Sequence, residues 1–314
     1  MKILVVTNMY PHTADPSWGV FIMQQVKYLQ KSEHNVDVFH IRGDQSKINY
    51  LKAFWEVYFR TYRKSYDIVH VHCGLTGLPG LFCWKTPKVI TFHGSDVLVG
   101  KIQPMISKFV SKFYDAVIVV SKQMASIING NIIPCGIDLE VFKPYGRKES
   151  RIKIKWPLDK YIVLFPFHPS RKIKRYDIAE AVVKNLKNKE YDIELKTVSG
   201  VKNEHMPYYY SAANVMLLCS DSEGSPTSIK EALACNTPVV TTNVGDVKNI
   251  LDGINGVQIC DKNAESLSKG IENILLNEGN KDYEYCTAMK RYDQKVIMEL
   301  ILKIYQGIGK KQKL

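Results

Sequence analysis

Short apolar runs recur along this chain with helix-length spacers between them. That rhythm limits the fold more than any other feature. The runs fall at 2–8, 36–40, 68–72, 89–92, 116–120 and 131–133, and then at 161–165, 193–198, 215–219, 238–242 and 257–260. Those at 3–6 and 215–219 are continuous and apolar, as a strand buried on both faces would be. Strand alternating with helix predicts a doubly wound, mostly parallel α/β sheet. At 314 residues the chain suits two such domains better than one. Pro134, Gly136 and Pro144 punctuate a connector, and basic residues accumulate just after it. The expected division is 1–140, 141–290, and a terminal helix over 291–314, where Val296, Ile297, Leu300, Ile301, Ile304 and Tyr305 repeat at helical spacing.

The most informative stretch lies between the runs at 215–219 and 238–242. There Ser222-Glu223-Gly224-Ser225-Pro226-Thr227 leads into Ser228-Ile229-Lys230-Glu231-Ala232-Leu233-Ala234-Cys235. Strand, tight glycine turn, helix, strand is one crossover unit of a parallel sheet. Pro226 suits a first helical turn, and Ser225 is the expected N-cap. Glu223 falls at the carboxyl end of the strand, with Glu231 two helical turns further on. Ligands of open α/β sheets bind at those strand ends, where helix N-termini also offer N–H groups to anions.

The Glu-x7-Glu spacing is a common chance pattern by itself. Extended to Glu-Gly-Ser-Pro…Lys-Glu-Ala-Leu-Ala-Cys-Asn-Thr-Pro-Val-Val-Thr-Thr-Asn-Val-Gly, it resembles the donor-site signature of retaining glycosyltransferases of family 4. The resemblance covers nearly the whole chain. It implies the GT-B arrangement, two Rossmann-like domains facing across a cleft, with the terminal helix returning to the N-terminal one. The implied reaction moves a sugar from a nucleotide-sugar to a hydroxyl of a glycan or lipid-linked acceptor. A donor phosphate oxygen is thought to act as the base in this family.

Residue by residue, the resemblance implies that Glu223 binds the donor sugar and Glu231 the ribose hydroxyls, helped by Gly224, Ser225, Pro226 and Thr227. Arg171 and Lys174 would clamp the diphosphate, with Lys172 a competing candidate in the run Arg171-Lys172-Ile173-Lys174-Arg175. Gly200 and Val201 would help hold the nucleobase. Asn-Met-Tyr-Pro…Gly-Val-Phe resembles the family's first loop, which makes Gly19 a phosphate contact. His93, opening His-Gly-Ser-Asp, would meet a sugar hydroxyl. Asp96 is expected to cap the following turn, and His72 to be a hydrogen-bonded structural residue.

Several classes are disfavoured. The three glycines of a dinucleotide fingerprint are absent from the first loop. No zinc-finger or RNA-recognition signature accompanies the +12 charge, so nucleic acid is not an expected partner. No Asp-x-Asp occurs, and fixed cations can replace a divalent ion at a diphosphate, so neither metal nor cofactor is expected. The seven cysteines are scattered, as buried thiols of a reducing cytoplasm would be. Met1-Lys2 runs straight into an apolar strand without a leader pattern, and no run approaches the roughly 18–20 residues of a membrane span.

Two stretches, 47–64 and 101–113, carry aromatic and aliphatic residues at helical spacing flanked by Lys and Arg. Two readings stay open: helices packed on the sheet with solvated basic faces, or a peripheral patch for the inner face of an anionic membrane. A nucleotide-sugar epimerase of the same fold and a non-catalytic sugar-nucleotide-binding module remain the alternatives to transfer.

Overall fold

The computed structural model describes residues 1–13, 15–277 and 284–311. The chain forms two compact units, Met1–Gly136 with Gln294–Leu314, and Ile137–Asp293.

The first unit holds six strands: β1 (Lys2–Thr7), β2 (Asn35–His40), β3 (Ile68–His72), β4 (Lys88–Phe92), β5 (Ala116–Val119) and β6 (Asn131–Ile132). They lie in the order β2-β1-β3-β4-β5-β6, and every pairing is parallel. Alternate side chains of β1 leave the sheet on opposite faces. Ile3 and Val5 join Ile22, Leu29, Ile297, Ile301 and Tyr305 in one core layer. That layer is closed by the helices Val20–Lys31 and Gln294–Lys311. Leu4 and Val6 join Ala53, Val57, Val71, Val110 and Tyr114 in the other. Over it lie the helices Ile48–Arg63 and Ile102–Val110, with the short turn Gly77–Gly80 between.

The second unit holds β7 (Tyr161–Phe165), β8 (Ile193–Thr197), β9 (Val215–Leu218), β10 (Val239–Thr242) and β11 (Gln258–Cys260). Their order is β11-β10-β9-β7-β8, again all parallel. Ile162 to Phe165 and Val215 to Leu218 are almost fully enclosed. Such double burial is why both runs are continuous rather than alternating. The helices Tyr176–Lys187, Thr227–Ala234 and Ala264–Leu276 supply much of the apolar cover.

Each unit therefore has the strand order of a doubly wound fold with a reversal beside its first strand. In the first the reversal lies between β1 and β3, in the second between β7 and β9.

One expectation is corrected. Ser225 is not an N-cap: Pro226 holds that position, without a side-chain cap, and the Ser225 hydroxyl is bonded elsewhere. Both helices of 47–64 and 101–113 pack on the sheet, but with only part of their apolar residues: Val110 is buried and Ile106 packs against the core, whereas Leu51, Trp55, Tyr62, Ile102, Met105 and Phe109 are exposed. Small residues, Ala53, Val57 and Thr61, pack inward from the first helix, and the large ones face out. The terminal helix expected over 291–314 spans Gln294–Lys311, and residues 312–314 lie outside the described residues.

Candidate active site

The reversal in the second unit puts two loops side by side, one after β7 and one after β9. The loop after β7 ends in a single 3₁₀ turn, Lys172–Lys174. Lys174 is buried there, whereas Arg171 and Lys172 are exposed. The loop after β9 carries Glu223. Lys174 Nζ donates to Glu223 Oε1 at 2.5 Å, and the same ammonium lies 4.0 Å from the centroid of the Phe167 ring. Burial pushes the Lys174 pKa down, and the Glu223 carboxylate opposes that shift. Of the two competing lysines, the structure brings Lys174 to the Glu223 carboxylate and leaves Lys172 in the exposed loop. Arg175 and Lys262 both bond Asp221, at 3.2 and 2.8 Å, and hold its carboxyl below the ordinary range.

Glu223 and Gly224 are backed by a tight approach. A Cβ on Gly245 would sit 2.5 Å from the Gly224 carbonyl oxygen, and its φ is +59°. The next residue, Asp246, accepts a bond from Ser225 Oγ at 2.8 Å. Ser225 in turn accepts one from Lys230 Nζ at 2.5 Å. Lys230 has no solvent exposure, and its ammonium lies 4.6 Å from the Tyr292 ring centroid. This buried Asp246–Ser225–Lys230 chain ties the glycine turn to the helix Thr227–Ala234.

Sequence reading missed Lys230 and Asp246. One signal was available: Lys230 lies one residue from Ile229 and three from Leu233, on a helix whose apolar residues are all buried. A buried polar chain of this kind is stable only when its members satisfy one another.

Glu231 is half-buried on that helix. Tyr210 Oη donates to its Oε2 at 2.8 Å, and the Thr227 hydroxyl also bonds it. Burial outweighs both contacts and pushes the Glu231 pKa up to about 7. Pro226 is buried and Thr227 half-buried at the helix start. Gly200 is exposed in the turn after β8, with half-buried Val201 beside it.

In the first unit, β3 and β4 end side by side in His72 and His93. Nδ1 of His72 lies 3.0 Å from Nε2 of His93, and the rings stack at 5.2 Å. Behind them His70 bonds Tyr305 Oη through Nδ1 at 2.6 Å and Thr91 Oγ1 through Nε2 at 2.7 Å. Burial pushes His70 and His93 down to about 3 and His72 well below its usual value, so all three rings are neutral near pH 7. His72 is thus hydrogen-bonded, as expected, but it also orients His93. Asp96 accepts from the backbone N–H of His93 and of Gly94, at 3.1 and 2.8 Å, and fixes the turn.

Gly19 begins the helix Val20–Lys31 at φ +66°. A Cβ there would meet the Met9 carbonyl at 2.4 Å. The chain itself therefore requires this glycine, before any ligand is considered.

Two family models match the chain. Residues 18–141 match Glycosyltransferase Family 4, and residues 179–296 match Glycosyl transferases group 1. The chain belongs to the group 1 glycosyltransferases. TuaC of Bacillus subtilis (strain 168), named for teichuronic acid biosynthesis, is 26% identical over 86% of this glycosyltransferase and 88% of its own length. Among solved structures, the sucrose-phosphate synthase of Thermosynechococcus elongatus superposes with a TM-score of 0.81 at 17% identity. That match covers 98% of this chain and 99% of the other. HepE of Anabaena, in complex with UDP-glucose, gives a TM-score of 0.72 at 16% identity, over 98% and 100% of the two chains. These likenesses establish the GT-B fold for this glycosyltransferase.

Proposed function

We propose that this glycosyltransferase moves a hexosyl group from a nucleotide-sugar to a hydroxyl of a glycan or lipid-linked acceptor of the cell envelope, with retained anomeric configuration and no resident metal. The Lys174–Glu223 pair at the reversal of the second sheet carries the reading. When the glycosidic bond breaks, negative charge grows on the leaving diphosphate. Fixed positive charge aimed there stabilises the transition state more than the ground state. Lys174 supplies it from a buried position, Arg171 from the exposed loop, and the first N–H groups of the helix Thr227–Ala234 add partial charge. Glu223, held by Lys174 before substrate arrives, accepts from sugar hydroxyls. Glu231 accepts from the ribose, the turn at Gly200 and Val201 borders the base, and His93 meets a sugar hydroxyl.

The UDP-glucose complex of HepE makes uridine diphosphate sugars the first donors to test, and the name of TuaC supports an envelope acceptor. Asp221, which a metal site would need, is already engaged by Arg175 and Lys262.

The test is a panel of nucleotide-sugars in a thermal-shift assay, since a true donor stabilises the folded state by mass action. Turnover is then measured with the best donor in excess EDTA and again with magnesium restored. Transfer should persist in EDTA, and Lys174→Met should abolish most of it. Loss in EDTA that magnesium rescues would overturn the metal-free step. Conversion of donor without acceptor would point to an epimerase instead.

A further inference from the structure

The helix Ile48–Arg63 has two apolar faces. Ala53, Val57 and Thr61 meet the sheet. At about 100° per residue, Leu51, Trp55 and Tyr62 fall on the opposite side, where they are 66%, 69% and 64% exposed. The helix Ile102–Val110 repeats the design. Ser107 and Val110 are buried, while Ile102, Met105 and Phe109 face out at 69%, 67% and 52%. Both helices cover the same face of the first sheet. The turn Gly77–Gly80 touches both helices, and the segment after it packs on the first. Phe82 meets Phe54 edge-on at 5.0 Å, Trp84 meets Tyr58 at 6.1 Å, and Tyr114 Oη donates to the Gly77 carbonyl at 2.8 Å. Phe82 and Trp84 are themselves about half exposed. Single exposed apolar side chains need no explanation, but a set spread over two helices and the segment between them does.

The charges around this surface narrow what could cover it. Lys47, Lys52 and Arg63 flank the first helix, and Lys101, Lys108 and Lys112 the second, all exposed. Two nearby cations are engaged within the fold: Arg60 with Glu56 at 2.6 Å and Lys64 with Asp37 at 3.1 Å. Glu56 is the sole acid from 47 to 64, and none occurs from 101 to 113. A basic rim around Leu, Trp, Tyr and Phe suits a surface that is anionic outside and apolar just beneath.

We propose that this face of the first unit docks on an anionic lipid bilayer, with Leu51, Trp55 and Phe109 entering the headgroup region. Among the described residues no helix is long and apolar enough to cross a membrane, so the attachment is peripheral. The proposal deepens the lipid-linked acceptor reading. Its test needs neither donor nor turnover, so the two can fail separately.

The full chain is mixed with vesicles of phosphatidylglycerol and phosphatidylcholine, or of phosphatidylcholine alone, and floated at low and high salt. It should float with the anionic vesicles at low salt, less at high salt, and stay behind with neutral ones. Tryptophan emission should shift to the blue on binding, because Trp55 and Trp84 both lie on the docking face. The triple variant Leu51→Ser, Trp55→Ser, Phe109→Ser should lose at least tenfold in vesicle affinity, with melting temperature and UDP-induced thermal shift unchanged. Lys52→Gln with Lys101→Gln and Lys108→Gln should weaken binding at low salt and flatten its salt dependence. Wild type that stays soluble over anionic vesicles at low salt would overturn the proposal. So would a triple serine variant that floats as well as wild type. Self-association lost in that variant, without vesicle binding, would assign the face to a second copy.

Discussion

At Glu231 two opposing effects act on one carboxyl. Tyr210 and Thr227 bond the carboxylate, yet burial dominates, and its pKa rises from the ordinary 4.5 to about 7. Between those values the folded chain keeps a proton that the unfolded chain has released. Stability should therefore fall as pH rises from about 4.5 to about 7, then level off. Thermal melts across that range should show the slope, and Glu231→Gln should remove it. Nucleotide binding should run the other way, because ribose hydroxyls need the ionised acceptor: UDP should bind more tightly as pH rises through 7. Glu231→Ala should weaken UDP by ~1–3 kcal/mol, read by calorimetry. Glu223→Gln should lower kcat with much less effect on free UDP. Glutamine is the better probe there, since truncation to alanine would also strand the buried Lys174 ammonium. Equal loss of UDP affinity in both variants would contradict the division of labour.

At the level of elements, Gly19 supports a sharp expectation. Its left-handed backbone and the approach of Met9 leave no room for a methyl group. Gly19→Ala should cost about 2 kcal/mol or more in denaturant unfolding, from the conformation plus the clash. A shift well below 1 kcal/mol would show that the loop yields easily. The central strands were legible because they are buried on both faces, which writes an unbroken apolar run such as 162–165 or 215–218 into the chain. Helix orientation was not. The stripe through Leu51, Trp55 and Tyr62 announces an apolar face but not what covers it, and the inward face of Ala53 and Val57 is too small to stand out. The role of Ser225 was equally hidden. A serine before proline looks like an N-cap, yet its hydroxyl is engaged by Asp246, twenty-one residues away. His72 and His93 are separated by the same interval, and only adjacent parallel strands put their rings in contact. Long-range pairing, which no local motif records, decides the partners of these side chains.

On the scale of the whole molecule, the first unit is not contiguous in sequence. The helix Gln294–Lys311 fills one face of its sheet, and Tyr305 reaches the buried His70. A chain ending at Asp293 would expose Ile3, Val5 and Ile22 to water, a loss of several buried side chains at roughly 1.5–3 kcal/mol each. Its first unit should unfold in a separate, lower transition or aggregate, while the second unit keeps its melting transition and its UDP-induced shift. Calorimetric scans of the truncated and full chains would separate these outcomes. A single unchanged transition would mean that the helix adds little.

That closure by the last helix sets an order on biogenesis. A nascent chain usually completes its N-terminal domain first. Here every strand of the second sheet has been translated before the final helix emerges, so the domain made first is finished last. Until then that face of its sheet is covered only by the helix Val20–Lys31, and the apolar surface under the missing helix stays exposed. Termination after Asp293 would leave a product whose second unit is intact and whose first unit is prone to aggregate.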